Sequence, residues 1–147
     1  MRAPQLLALS IKQPWATLLA HGLKTIEIRK WPTTHRGTVL IHAAKVADDR
    51  AEAWKHVPPD LQQAAQGRGG IVGSAFLTGC LSYRSPRIFA MDQRLHLNEL
   101  DWFEGPVMYG FTFTRAVPLP FREFPGWLRF FPVPENAQCL ELQHAGG

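Results

Sequence analysis

The octapeptide Gly22-Leu23-Lys24-Thr25-Ile26-Glu27-Ile28-Arg29 decides how the chain folds around it. Side chains alternate between the two faces of a β-strand, so strict alternation sends the two isoleucines to one face and Thr25, Glu27 and Arg29 to the other. We therefore predict a strand from Lys24 to Arg29. Its inner face is apolar, and its other face carries charges of both signs.

The residues on either side predict a strand, a short helix and a second strand. Leu6 to Ile11 is a mostly apolar run and is predicted to be a strand. Pro14 suits the first turn of a helix because its missing N–H costs nothing there, and Gly22 is a C-terminal stop. After the loop at 31–37, Thr38 to Ala44 is predicted to be a strand with these residues facing inward: Val39, Ile41 and Ala43.

The second half of the chain predicts further strands and short helices. Asp48 or Asp49 is expected to cap a helix that runs to about His56. The remaining expected elements are a helix from Pro58 through Gln66, a strand from Ile71 to Tyr83 interrupted at Gly73 and Gly79, a loop with a short helix from Ser85 to Glu104, a strand from Val107 to Thr114, proline-rich connections from Pro118 to Pro125, and strands at Leu128 to Val133 and Cys139 to Leu142.

These elements indicate an α+β fold, a small mixed β-barrel with peripheral helices in one domain. The chain has 147 residues, which suits a single domain over 1–147 with its core at about 6–134. The N-terminal apolar run is interrupted by Ser10 and Lys12, so we expect no signal peptide, no membrane partner and a cytoplasmic location. Cys80 and Cys139 are expected to be buried thiols.

The charge distribution points to an anionic partner without requiring one. The formal net charge is +4 and the pI is about 9.4. The segment from Lys12 to Lys45 has only one acidic residue, Glu27, beside six cations: Lys12, Lys24, Arg29, Lys30, Arg36 and Lys45. Cationic side chains release counterions when they bind phosphates, so a polyanion is a suitable partner.

Motifs for other kinds of site are missing from the sequence. It contains no GxGxxG, GxxxxGK[ST], HExxH or GxSxG, and its histidines lack ligand spacing. We therefore expect no cofactor and no metal.

The sequence contains two candidate binding elements in this region. One lies before the predicted strand of the octapeptide, and the other is the strand itself. Lys12 and Gln13 stand just ahead of a helix start, where free backbone N–H groups favour an anion, although Trp15 also suits a core position. On the strand, the charges form either a solvated salt-bridge ladder or a pocket in which Arg29 binds phosphate or a carbonyl while Lys24 and Glu27 act on the ligand. A buried Lys24–Glu27 pair would hold one member near a neutral pKa, as general acid–base chemistry requires.

A third candidate element is the loop that follows the strand. Trp31 and the turn His35-Arg36-Gly37 could stack a base and hold its phosphate, although tryptophan packing under a proline is equally ordinary. His42 lies on the polar side of its strand and is a candidate for the same cavity. A lone histidine is more often a structural donor.

Three blocks of sequence resemble the ASCH domain, the family named for homology to activating signal cointegrator 1. The blocks are Leu9 to Ala16, Gly22 to Arg29, and Trp31-Pro32 with Arg36-Gly37 ahead of Leu40 to Ala44. The resemblance implies a PUA-like pseudobarrel with flanking helices and a link to RNA binding. By position, the family's cleft would be lined by Ser10, Lys12, Gln13, Trp15, Lys24, Glu27, Arg29 and Arg36.

Some small bacterial members of the family are amidohydrolases that deacetylate N4-acetylcytidine. Their motif is similar to Gly-x-Lys-Thr-x-Thr-x-Arg, which Lys24, Thr25 and Arg29 match. Glu27 stands where those enzymes place the threonine taken to be the nucleophile, and a carboxylate does not replace that hydroxyl. Other members cut RNA, so hydrolysis of a phosphodiester stays open.

The preferred hypothesis is a binding module for RNA, single-stranded nucleic acid or a modified nucleoside. Arg29, Lys12 and Arg36 would hold the ligand, and Trp15 or Trp31 would stack on it. The alternative is a hydrolase in which Lys24 and Glu27 act on an N4-acylated cytidine or on RNA. A third hypothesis is an interaction domain whose cleft binds a peptide.

Overall fold

A six-stranded sheet forms the centre of the protein. The structure is a computed structural model, and it describes residues 6–134. The strand order is β2-β5-β4-β3-β1-β6. The strands are β1 (Leu6–Ile11), β2 (Ile26–Arg29), β3 (Gly37–Ala43), β4 (Gly70–Tyr83), β5 (Met108–Glu123) and β6 (Phe130–Val133). The sheet curls into a half-barrel, which confirms the predicted α+β class.

Short helices lie beside the sheet. They are α1 (Trp15–Ala20), α2 (Ala51–Trp54), α3 (Pro86–Met91) and α4 (Gln93–His96), with 3-10 turns at Pro59–Leu61, Ala64–Gln66 and Leu100–Trp102. The strands β1 and β3 pair in parallel, and α1 lies in the connection between them. Every residue of α1 is buried because the helix packs against β3, β4 and β5.

Both faces of β1 and β3 are covered, which explains their burial pattern. The predicted inward residues Val39, Ile41 and Ala43 are fully buried in the cluster that includes α1. Leu40 on the opposite face is also buried, in a smaller cluster with Phe131 of β6. A strand covered on both faces shows little polar alternation, so alternation describes only part of β3.

The proline-rich connection predicted from Pro118 to Pro125 is mostly strand in the structure. Strand β5 contains prolines and continues to Glu123. Strand β2 pairs with β5 only from Tyr109 to Thr112. Beyond Phe113, which bonds to Thr25, the described part of β5 pairs with β4 alone, and proline is tolerated in a strand that has one open edge.

Other predictions in the second half need correction. Neither Asp48 nor Asp49 caps the helix as predicted, because α2 follows Arg50 without a side-chain cap. The helix predicted from Pro58 through Gln66 consists of two 3-10 turns. Strand β4 is continuous, with register shifts next to Gly73 and Gly79. The strand predicted at Cys139 to Leu142 lies outside the described residues.

The close packing of α1 on β4 depends on the absence of a side chain at Gly73. A Cβ there would lie 2.6 Å from Ala20 Cβ and 2.7 Å from the Val117 carbonyl oxygen. We expect Gly73→Ala to lower the free energy of unfolding by about 1–3 kcal/mol, because overpacking forces backbone shifts. Urea unfolding measures this effect. Ser74→Ala, which leaves the α1 contact intact, is the control, and equal stability of the two variants would contradict this packing.

Candidate functional site

A cavity of about 500 Å³ opens beside β1, β2 and the segment before β6. Its size falls in the range of small-ligand sites in proteins. Seven of the residues proposed from the sequence line it: Ser10, Lys12, Trp15, Lys24, Glu27, Arg29 and Trp31. The other lining residues are Ile28, Lys30, Ala44, Asp48, Arg50, Asn98, Trp102, Glu104, Met108, Trp127, Leu128 and Arg129.

The floor of the cavity carries a buried lysine. Lys24 is 1% exposed, and its ammonium lies 4.6 Å from the centroid of the Trp15 ring. It donates to the carbonyl of His96 and lies 3.7 Å from Glu27 Oε1. Burial lowers the pKa of Lys24 to about 8, although the charge of Glu27 opposes the shift. A fraction of about a tenth of the amine is therefore neutral at pH 7.

Glu27 connects this lysine to an arginine. Arg29 Nε and Nη2 lie 3.1 and 3.0 Å from Glu27 Oε2, so the guanidinium grips one carboxylate oxygen while Lys24 faces the other. Arg29 Nη2 also donates to the carbonyl oxygen of Ser10 at 2.9 Å. This bond is a side-chain contact from β2, at one edge of the sheet, to β1 near the other edge. Three residues of β2 therefore line the cavity: Glu27, Ile28 and Arg29.

A second carboxylate fixes the wall opposite β2. Asp48 Oδ2 accepts from Trp15 Nε1 at 2.8 Å, and Arg50 binds both carboxylate oxygens at 2.9 and 2.7 Å. Burial raises the pKa of Asp48, but the bonds from Arg50 and Trp15 outweigh it and lower the pKa to about 2. The carboxylate therefore stays ionised, and it holds the Trp15 ring in place.

Arginine side chains lie over tryptophan rings at the cavity wall. The Arg50 guanidinium lies 3.5 Å from the centroid of Trp102, and the Arg129 guanidinium lies 4.8 Å from that of Trp31. Trp127 differs from these rings because it is 57% exposed. The cavity thus offers two arginine–tryptophan stacks and one open aromatic face.

Four residues proposed from the sequence do not line the cavity. Gln13 is fully buried, and its side chain accepts from the Thr17 N–H and donates to the Gly67 carbonyl. Thr25 bonds through its backbone to Leu95 and Phe113. Arg36 is exposed and donates to nearby loop carbonyls, so its expected place in the cleft is not observed. His42 is buried against β1 and the segment before β6.

The family model of the ASCH domain matches residues 9–115 of this chain, which includes most of the cavity lining. This chain belongs to the ASCH domain family. A similar solved structure is the ASCH protein of Zymomonas mobilis, at 15% identity and a TM-score of 0.65, with 95% of this chain and 94% of that chain covered. A mutant of that protein matches at 14% identity and a TM-score of 0.66, with 95% and 98% covered.

The curated relatives share a shorter segment with this ASCH domain. Activating signal cointegrator 1 of Homo sapiens and of Mus musculus are each 54% identical to it over 35 residues. That segment is 24% of this chain and 6% of each relative's length. The family match and the similar solved structure confirm the predicted family and fold. The ASCH domain has a PUA-like fold, which is often linked to RNA binding.

Several lining residues of this ASCH domain escaped prediction. Asp48 was read as a helix cap, whereas it holds Trp15 and Arg50. Trp102 and Trp127 come from distant segments, and no spacing in the sequence connects them to β2. The only local signal for the role of Asp48 was the motif Asp48-x-Arg50. These two residues are close in sequence, and the Arg50 guanidinium binds both carboxylate oxygens of Asp48.

Other observations bear on the predicted partners. Within residues 6–134, no cluster of three or more His, Cys, Asp and Glu side chains could hold a metal ion. The described part of the chain contains no helix with the length and hydropathy needed to cross a membrane. Cys80 is a free thiol that is half-buried instead of buried, and Cys139 lies outside the described residues.

The lowered pKa of Lys24 gives stability a specific pH dependence. Unfolded lysine keeps its proton up to about pH 10.5, whereas folded Lys24 loses it near pH 8. Between these values the unfolded state binds more protons, so the free energy of unfolding rises with pH. We expect wild type to gain up to about 3 kcal/mol relative to Lys24→Met from pH 8 to 10.5, measured by urea unfolding.

The control for this measurement is Lys45→Met, which removes an exposed lysine outside the cavity. Its stability should run parallel to that of wild type over the same pH range. A constant difference between wild type and Lys24→Met would show that Lys24 titrates normally.

Proposed function

We propose that the cavity binds single-stranded RNA by enclosing one nucleoside, with the adjoining backbone on the cationic rim. The observation that carries the proposal is the lining itself. Among the described residues it combines six cationic side chains with three carboxylates, and four tryptophans contribute to it. Proteins that bind single strands use this combination of positive charge and aromatic faces.

The tryptophans have different roles in this proposal. Trp15 is 6% exposed and packs against Trp102, so it supports the wall and does not stack on a base. Trp31 packs edge-on against Phe111 and Phe130 and is covered by Arg129. Trp127 therefore replaces Trp15 and Trp31 as the stacking residue.

The cations also divide by position. Arg29 is held by Glu27 and by the Ser10 carbonyl, so it shapes the cavity. Lys12 and Arg129 are exposed and line the opening, where a phosphate can reach them. A basic side chain that contacts phosphate contributes affinity that falls with salt concentration.

Short single-stranded RNA tests this function by fluorescence anisotropy at several salt concentrations. Trp127→Ala should weaken binding about 5- to 150-fold, because stacking contributes about 1–3 kcal/mol per base. Arg129→Ala should weaken binding less and lower the slope of log K against log salt by about one.

The matched controls are Phe121→Ala and Arg87→Ala, an exposed aromatic and an exposed arginine away from the cavity. Both should bind as wild type does. If RNA does not bind even at low salt, or if the controls lose as much affinity as the rim variants, the proposal fails.

The Lys24–Glu27 pair supports a second candidate function, hydrolysis of an N4-acylated cytidine or of RNA. A buried amine with a pKa of about 8 beside a carboxylate can take a proton from water and return it to a leaving group. The cavity gives both groups a common opening.

N4-acetylcytidine and short RNAs, followed by mass spectrometry, test this activity. Lys24→Ala should lower the rate at least about 100-fold, since a positioned acid–base residue contributes about 10²–10⁴. Lys45→Ala should leave the rate unchanged. Turnover that persists in Lys24→Ala would exclude this pair as the acid–base group.

A further inference from the structure

A serine, a histidine and a backbone carbonyl form a hydrogen-bonded chain at the edge of the cavity. Ser10 of β1 and His42 of β3 are paired in the parallel register, so their side chains share one face of the sheet. Ser10 Oγ lies 3.1 Å from His42 Nδ1, and His42 Nε2 lies 2.6 Å from the Phe124 carbonyl oxygen. Neither Lys24 nor Glu27 takes part in this chain.

The carbonyl of Phe124 fixes the tautomer of His42. A carbonyl oxygen only accepts, so Nε2 carries the hydrogen, and Nδ1 of the neutral ring has a free lone pair. The Ser10 hydroxyl must then donate to Nδ1. Burial lowers the pKa of His42, although the bond to Phe124 opposes the shift, so the ring is neutral near pH 7.

This order of donors is that of an activated nucleophile. A hydroxyl donates to a neutral base, and a third group orients the base from its far side. A backbone carbonyl takes the place that a carboxylate holds in the Ser-His-Asp arrangement. His42 is 1% exposed, so packing holds its ring in a fixed orientation toward Ser10 Oγ.

An anion-stabilising group lies next to the serine. Arg29 Nη2 donates to the Ser10 carbonyl, which places the guanidinium beside the residue that carries the hydroxyl. Within residues 6–134, Arg29 Nη1 makes no hydrogen bond. A positioned cationic donor of this kind stabilises the oxyanion of acyl transfer.

The segment that leads to β6 lies against Ser10 and His42 because residue 126 is glycine. A Cβ at Gly126 would lie 2.6 Å from His42 Cε1 and 3.3 Å from Ser10 Oγ. The loop therefore covers the histidine, while Ser10 remains half-buried and lines the cavity.

We propose that Ser10 is the nucleophile of an acyl-transfer site, with His42 as its base and Arg29 as its oxyanion donor. The substrate class is an O-acyl ester of a ribonucleotide. The ester chemistry follows from the hydroxyl–imidazole chain. The ribonucleotide part rests on the proposed RNA-binding function of the same cavity.

The reaction has two steps. Ser10 Oγ bonds to the ester carbonyl carbon while its proton moves to His42 Nδ1, and Arg29 Nη1 donates to the oxyanion. The bond from the carbonyl carbon to the ribose oxygen then breaks, and that oxygen takes the proton from His42. Water next attacks the acyl-serine, loses a proton to His42, and releases the carboxylic acid as Ser10 regains its proton.

A serine-reactive fluorophosphonate tests the nucleophile without any nucleotide. In the tryptic peptide from Ala3 to Lys12, Ser10 is the only residue with a hydroxyl side chain, so an adduct on that peptide is an adduct on Ser10. We expect labelling of this peptide in wild type and none in Ser10→Ala. The labelling rate of wild type should fall only at a pH below the ordinary titration range of histidine, because burial lowers the pKa of His42.

Ester turnover is measured with p-nitrophenyl acetate and with 3′-O-acetyladenosine 5′-monophosphate. Ser10→Ala should lower both rates at least about 100-fold, as expected for loss of a nucleophile. Ser82→Ala, at an exposed serine of β4, is the control. No adduct on the peptide from Ala3 to Lys12, or equal turnover in Ser10→Ala, overturns the nucleophile.

The two proposals fail in different ways. Labelling and turnover of p-nitrophenyl acetate do not depend on RNA, so they support Ser10 even if RNA fails to bind. A nucleotide ester that reacts no faster than an alkyl acetate of similar intrinsic reactivity that carries no nucleotide overturns the ribonucleotide part. Wild type that binds RNA but gives no adduct overturns the acyl-transfer site alone.

Discussion

The chain of contacts from Lys24 through Glu27 to Arg29 is the interaction on which the rest of the site depends. Removing Glu27 would leave two neighbouring cations without their shared carboxylate, one of them the buried Lys24, at a cost of several kcal/mol. The chain also connects three parts of the fold, because Lys24 donates to the His96 carbonyl and Arg29 donates to the Ser10 carbonyl. The cavity lies between these parts of the fold, and the three charged side chains line it.

The second carboxylate makes this arrangement rigid on its other side. Asp48 holds the Trp15 ring, and that ring lies under the Lys24 ammonium. Two acids thus position three cations and one aromatic ring at the cavity. Preorganised charge of this kind is suited to an anionic ligand, and it requires little rearrangement when the ligand binds.

The sequence predicted the parts of this site that depend on local spacing. Alternation along β2 placed Glu27 and Arg29 on one face, and the structure brings both to the cavity that Trp15 also lines. Lys24 precedes β2, and alternation, which would put it on the face of the isoleucines, did not predict its contact with Glu27. Gln13 and His42 were misplaced because a polar residue at a strand or helix end can also satisfy backbone groups internally. Trp127 and Asp48 could not be predicted, since their positions follow from how distant segments pack. The prolines of β5 were misread because their tolerance depends on where β2 stops.

The bond from Arg29 to Ser10 has a mechanical consequence. It joins β2, at one margin of the open half-barrel, to the backbone of β1 just beyond the point where the pairing of β1 with β6 stops, at Leu9 and Phe130. The aromatic contacts of Trp31 and Phe111 with Phe130 cross the same gap, whereas neighbouring strands of the sheet are joined by hydrogen-bonded ladders, so the width of the gap is the dimension that side chains control. The width of the gap is also the width of the cavity. Selection of a ligand by size and the elastic compliance of the protein are therefore one property, which depends on the Arg29 guanidinium and on the aromatic contacts beside it.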